Sequence, residues 1–400
     1  MSNSNSPSTS TGRSQQNQGK LIIYLMAPLI ILALASAWMI TSDPLRLFVS
    51  SAPPIENLTI EQHYLDDSGI NLKIRAGGSE PMIIAQVQVD DAYWRFSQIP
   101  AGPLPRFSTA WINIPYPWVK DDAHVVKLVT NSGATFELEI EVAVESSRGT
   151  TGTIWSHIIL GLFVGVLPVA LGLMLYPALQ QLQRSGMRFV LAMTFGMLTF
   201  LLIDTLEEAL EAASKAAAAF QGAAMVLLIA LITTLGLIAV GRRKGKAPSG
   251  VALAGYMALG IGLHNFGEGL AIGAALAAGA AGLGAFLVLG FTVHNLTEGV
   301  AIASPMIEKR PSLRTFLGLT ILAGSPAIFG LWLGSFAVAN HWIALALAIG
   351  TGAIIQVLFE IGSLIIKNDA SKSDWMDRYA LVGLIFGIGF MYLTGMYIKT

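Results

Sequence analysis

The sequence predicts a polytopic α-helical membrane protein: an eight-helix bundle preceded by one N-terminal apolar helix and a small extracytoplasmic β-sandwich. Three observations predict it. Charged residues make up only 12% of the chain while 54% is apolar, against roughly 25% charged in soluble domains. The apolar residues fall in helix-length runs, with 41 glycines among 400 residues, as is common in lipid-embedded helices. One segment, 45–148, breaks this pattern and alternates apolar with polar in the manner of strands.

Residues 1–20 are rich in Ser, Asn and Gln without apolar periodicity, which predicts a disordered cytoplasmic tail. Residues 21–41 follow, with Leu21 to Ile40 an apolar run of spanning length behind Arg13 and Lys20. The run contains Ala35-Ser36-Ala37, so it reads either as an uncleaved signal anchor or as a signal peptide. In segment 45–148, Leu72-Lys73-Ile74-Arg75, Ile84 to Val89 and Phe136 to Val142 alternate, separated by Asp67-Ser68-Gly69, Ala76-Gly77-Gly78 and Asn131-Ser132-Gly133. Short strands at that spacing predict a sandwich. Pro100, Pro103, Pro105, Pro115 and Pro117 mark loop or edge. Trp111, Tyr116 and Trp118 read as core filling rather than as a partner surface. Domain 153–400 holds eight apolar spans: 153–178, 187–211, 222–241, 251–279, 283–305, 313–336, 341–366 and 379–398.

Basic residues alternate between loops. Arg184/Arg188, Arg242 to Lys246, Lys309/Arg310/Arg314 and Lys367/Lys372/Arg378 all fall on one side, which the positive-inside bias makes cytoplasmic. The β-domain and the C-terminus then lie outside, and a cell-membrane location follows. A net charge of −1 gives no reason to expect nucleic acid. With no cysteine, thiolate sites, thiol catalysis and disulfides are excluded.

Two segments thirty residues apart nearly repeat. One is His264-Asn265-Phe266-Gly267-Glu268-Gly269, the other His294-Asn295-Leu296-Thr297-Glu298-Gly299. His and Glu at i and i+4 share one helix face. At 1.5 Å per residue both motifs sit roughly 20 Å into their antiparallel helices, near the bilayer midplane. A carboxylate there costs about 2.5–3.5 kcal/mol on insertion scales. Two imidazoles and two carboxylates form an N/O set that Zn²⁺ accepts, and that Fe²⁺, Mn²⁺, Co²⁺ or Cd²⁺ would also take. Asn265 and Asn295 are adjacent amides able to complete or orient the shell. Gly269, Gly273 and the Ala/Gly-rich stretch 274–284 let the helices approach.

These segments resemble the paired metal-binding helices of the ZIP (Zrt/Irt-like) metal permeases, especially the bacterial-type branch. The likeness covers about 153–400. It implies a ZIP-like bundle whose fourth and fifth helices hold one metal through His264, Asn265, Glu268, His294, Asn295 and Glu298. It further implies uptake of the ion by alternating access. The chain departs from the family pattern at Gly267 and Thr297, where the branch has Pro, and at Ser325, where a Glu of a second metal position would stand. One central site is therefore expected. The β-domain lies outside the family pattern, and its partner is not legible.

Other polar residues lie along the expected path. Asp204, Glu207, Glu208 and Glu211 end the second span at the outer mouth, where carboxylates would concentrate cations or simply solvate a helix end. Gln356 and Glu360 lie toward the cytoplasmic end of the seventh span, placed to receive a departing ion. His157 and His341 read as interface residues at outer helix ends; His63 and His124 lack a second ligand at helical spacing. The expected partners are a divalent metal ion and the bilayer, and a homodimer is compatible with the sequence. No resident cofactor is expected, the metal being the cargo. An intramembrane hydrolase is disfavoured: H-N-x-x-E lacks the Glu between two His of H-E-x-x-H, and G-x-S-x-G does not occur. A membrane metal sensor or binding protein derived from a transporter is the alternative.

Overall fold

The computed structural model describes residues 11–42, 54–146, 151–243, 245, 248–277, 281–307, 311–336, 339–367 and 377–399. The chain divides into two compact units, Met1–Pro54 and Ile55–Thr400. The first holds one helix, α1 (Thr11–Ser42). Residues 11–20, expected to be a disordered tail, fall within this helix. Residues 1–10 lie outside the described residues.

The second unit begins with the β-domain. Its strands are β1 (Leu58–Asp66), β2 (Gly69–Ala76), β3 (Ile84–Val89), β4 (Ala92–Trp94), β5 (Ser97–Ile99), β6 (Thr109–Ile114), β7 (His124–Thr130) and β8 (Thr135–Ile140). They form two antiparallel four-stranded sheets, ordered β1-β2-β6-β5 and β4-β3-β7-β8. Alternation works as expected: Ile70, Leu72 and Ile74 face a core shared with Val87, Ile112 and Leu128. The β1–β2 turn demands glycine, because Gly69 has φ +113° and a Cβ there would lie 2.1 Å from the Ile114 carbonyl. Tyr116 and Trp118 do pack against the core. Trp111 instead lies beside Tyr64, ring centroids 5.4 Å apart, with the Lys73 ammonium 5.9 Å over it.

The helices are α2 (Thr151–Gly161), α3 (Leu167–Met174), α4 (Tyr176–Leu179), α5 (Arg184–Ser214), α6 (Gly222–Arg242), α7 (Val251–Ala277), α8 (Ala281–Ala303), α9 (Leu313–Gly324), α10 (Pro326–Gly334), α11 (Asn340–Lys367) and α12 (Arg378–Lys399). A π-turn at Leu162–Val166 joins α2 to α3. Among the described residues, five stretches are long and apolar enough to cross a membrane: Ile154–Leu179, Arg184–Ser214, Ala218–Arg242, Leu313–Gly334 and Asn340–Ile366. This fits a membrane protein. The other three expected spans fall outside that set. α7 and α8 are 27 and 23 residues long, and α12 (22 residues) holds the apolar stretch Arg378–Leu393 among the described residues. Arg188, expected in a basic loop, is buried inside α5 and pairs with Asp377 at 3.1 Å.

Among the described residues, the β-domain meets the helical part at a cluster around His341. His341, at the start of α11, stacks on Phe220 with centroids 4.3 Å apart, and its Nδ1 lies 3.8 Å from the Glu61 carboxylate. Arg75 holds Glu61 and places its guanidinium 5.5 Å over the same Phe220 ring. His341 is thus a bridge to the β-domain, not an isolated interface residue. The contact is long-range, so helical spacing around His341 carried no trace of it.

Candidate metal centre

α7 and α8 cross with their motif faces together because their neighbours have almost no side chain at the crossings. A Cβ on Gly172 of α3 would fall 2.0 Å from the Leu296 carbonyl of α8. One on Gly330 of α10 would fall 2.1 Å from the Phe266 carbonyl of α7. Backbones this close lock the rotation of both motif helices.

The amides then fix the motif locally. Pro168 has no N–H to offer the Val164 carbonyl one turn earlier, and Asn295 Nδ2 donates to that carbonyl instead, at 2.9 Å. Asn265 Nδ2 donates to the Ala323 carbonyl, at 3.0 Å, beside the α9–α10 break at Pro326. Each motif asparagine therefore answers a backbone irregularity in the helix it packs against. The Oδ1 atom of each remains buried without a hydrogen-bond partner.

Between them sits the charged cluster. His264 Nε2 and His294 Nε2 both lie 2.8 Å from one oxygen, Glu268 Oε1. These are hydrogen-bond distances, yet neither contact has hydrogen-bond geometry, and all three atoms count as buried without a donor–acceptor partner. Two imidazole nitrogens and a carboxylate oxygen converging this closely are donors that could hold a metal ion. The three residues have ligand atoms within 4.8 Å of one another and are all buried.

Glu298 falls outside that set of three. It is also buried, its oxygens have no hydrogen-bond partner, and it acts electrostatically on both histidines while reaching Asn265. The two glutamates thus differ in whether they join the three-residue group, which their matching letters did not foretell. Thr297 donates its hydroxyl to the His294 carbonyl at 2.7 Å. α7 runs unbroken through Gly267.

Of the expected path residues, Asp204 is close enough to act electrostatically on His294. Glu207 is exposed, and Glu211 pairs with Lys215 at 2.7 Å on the surface. Glu208 is half-buried along the same helix. Gln356 and Glu360 are both buried, and Glu360 pairs with Arg242 at 3.3 Å. Sequence reasoning took Arg242 only as a topology charge; its reach to α11 depends on how α6 and α11 pack. In the β-domain, His124 Nδ1 lies 2.8 Å from Asp90 Oδ2. Burial opposes the Asp90 charge, but the Val125 N–H, His124 and Tyr116 bonding to it prevail and hold its carboxyl below the usual range.

Compared with models of protein families and with curated proteins, the chain matches none.

Proposed function

We propose that the chain binds a divalent transition-metal ion, Zn²⁺ first among them, at His264, Glu268 and His294 and carries it across a membrane. The observation that carries this is the pair of imidazole nitrogens 2.8 Å from a single buried carboxylate oxygen without hydrogen-bond geometry. Two neutral imidazoles and one carboxylate supply three of zinc's usual four ligands. Glu298, an asparagine Oδ1 or water completes the set. Two buried carboxylates in a low-dielectric interior are unfavourable until a cation balances them. The same donors suit Fe²⁺, Mn²⁺, Co²⁺ and Cd²⁺.

Transport rather than storage is supported by where the groups lie along the helices. Asp204 acts electrostatically on His294, and buried Gln356 and Glu360 follow along α11 from the turn that meets His264. This arrangement resembles the ZIP permeases, from which the eight-span reading, the orientation and a cell-membrane location are also taken. One histidine per helix, each with a glutamate at i+4, favours binding over hydrolysis. The second reading, a metal sensor or binding protein that does not transport, draws support from Glu298 standing outside the cluster and from Ser325 at the expected second position. Zinc-loaded proteoliposomes separate the two. Wild type should move Zn²⁺ down its gradient and Glu268→Ala plus Glu298→Ala should not; tight binding without flux favours the sensor.

A further inference from the structure

α7 and α11 lie side by side in opposite directions. Gly267 meets Ala346, Gly350 meets His264, and Gly260 meets Gln356. The next turn of α11 on that face carries Glu360. The seam from the metal cluster toward the C-terminal end of α6 therefore passes Gln356 and then Glu360. Gln356 Oε1 is buried and accepts no hydrogen bond. Glu360 is 3% exposed, a carboxylate that burial would otherwise penalise.

The cation beside it is Arg242, the last residue of α6. Its Nη1 lies 3.3 Å from Glu360 Oε1, a contact of charge rather than an aligned hydrogen bond, since Nη1 makes none. The guanidinium also lies 4.8 Å over the Phe359 ring. α6 is held in register with α11 by Thr234, whose hydroxyl donates to the Gly352 carbonyl at 2.9 Å. Arg242 is still 30% exposed along its side chain, so it can swing toward solvent without unfolding anything.

We propose that Arg242 is a tethered cation that closes this end of the α7–α11 seam, occupying the carboxylate that a departing divalent ion would otherwise use. Release of the ion then requires Arg242 to leave Glu360, and its return resets the closed end. The inference rests on the transport reading, because a seam that nothing travels needs no gate.

The chain contains no cysteine, which makes accessibility a clean test. Gln356→Cys in the full-length protein, reconstituted in vesicles, is treated from the Arg242 side with a charged, membrane-impermeant thiosulfonate. Arg242→Gln in that background should raise the labelling rate about tenfold; Glu360→Gln should do the same, and Arg242→Lys should stay near the parent rate. Equal rates in the parent and Arg242→Gln backgrounds, fast or slow, overturn the proposal. Zn²⁺ flux is measured on the same vesicles. Flux without a labelling contrast removes the gate and leaves transport standing; a labelling contrast without flux in any variant removes transport and leaves Arg242 as the closure of a buried seam.

Discussion

In the first copy of the motif, on α7, Glu268 has both histidine nitrogens at 2.8 Å from one oxygen. In the second, on α8, Glu298 is just as buried yet stands outside the three-residue cluster, acting on the histidines electrostatically and reaching Asn265. The asparagines do not divide in this way: each donates to a carbonyl of the helix beside it, Ala323 or Val164, next to a proline-marked irregularity. A repeated motif thus fixes donor types and faces, whereas the crossing of α7 and α8 decides which carboxylate lies against both imidazoles.

That comparison can be broken by metal affinity. Glu268→Ala should weaken Zn²⁺ binding by more than about 100-fold, beyond the 10–100-fold typical of outer-shell partners, with Glu298→Ala inside that range. Equal losses in a competition titration would make the two copies equivalent after all. Stability comes next. Gly172→Ala and Gly330→Ala each press a Cβ into the carbonyl of a motif helix, and each should destabilise by about 1–3 kcal/mol in thermal melts. Slightly smaller effects are expected from Asn265→Ala and Asn295→Ala. Each leaves a buried carbonyl without its donor, at about 1–3 kcal/mol less whatever relaxation recovers, and the two losses should match. A clear inequality would mean the two proline irregularities are not supported alike.

The smallest effect belongs to the β-domain, far from the cluster. Burial pushes the His63 imidazole below its usual value of 6.5. The unfolded chain therefore binds a proton that the folded chain resists, so stability is intact above pH 6.5 and declines as pH falls below it. Hydrogen exchange of the β1 and β2 amides in the full chain should show this acid weakening, and His63→Gln should flatten it. An unchanged slope in the variant would assign the weakening elsewhere.

Much of the architecture was legible because it is local. The 2-residue alternation of Leu72 to Arg75 and Ile84 to Val89 placed strands, and the expected apolar spans begin and end within a few residues of the helices. The i, i+4 spacing put His264 and Glu268 on one face. Features that depend on distant neighbours were not legible. Arg242 and Arg188 looked like loop charges, yet one reaches Glu360 and the other Asp377. His341 does lie at a helix end, as expected, and from there it also meets Phe220 and Glu61.

X-ray absorption at the zinc edge of the metal-loaded full chain tests the shared centre most directly. The account predicts imidazole nitrogens and carboxylate oxygens at about 2.0–2.2 Å and no sulfur, with the imidazole signal lost in His264→Ala plus His294→Ala. Zinc whose spectrum is the same in that double variant and in wild type would contradict it.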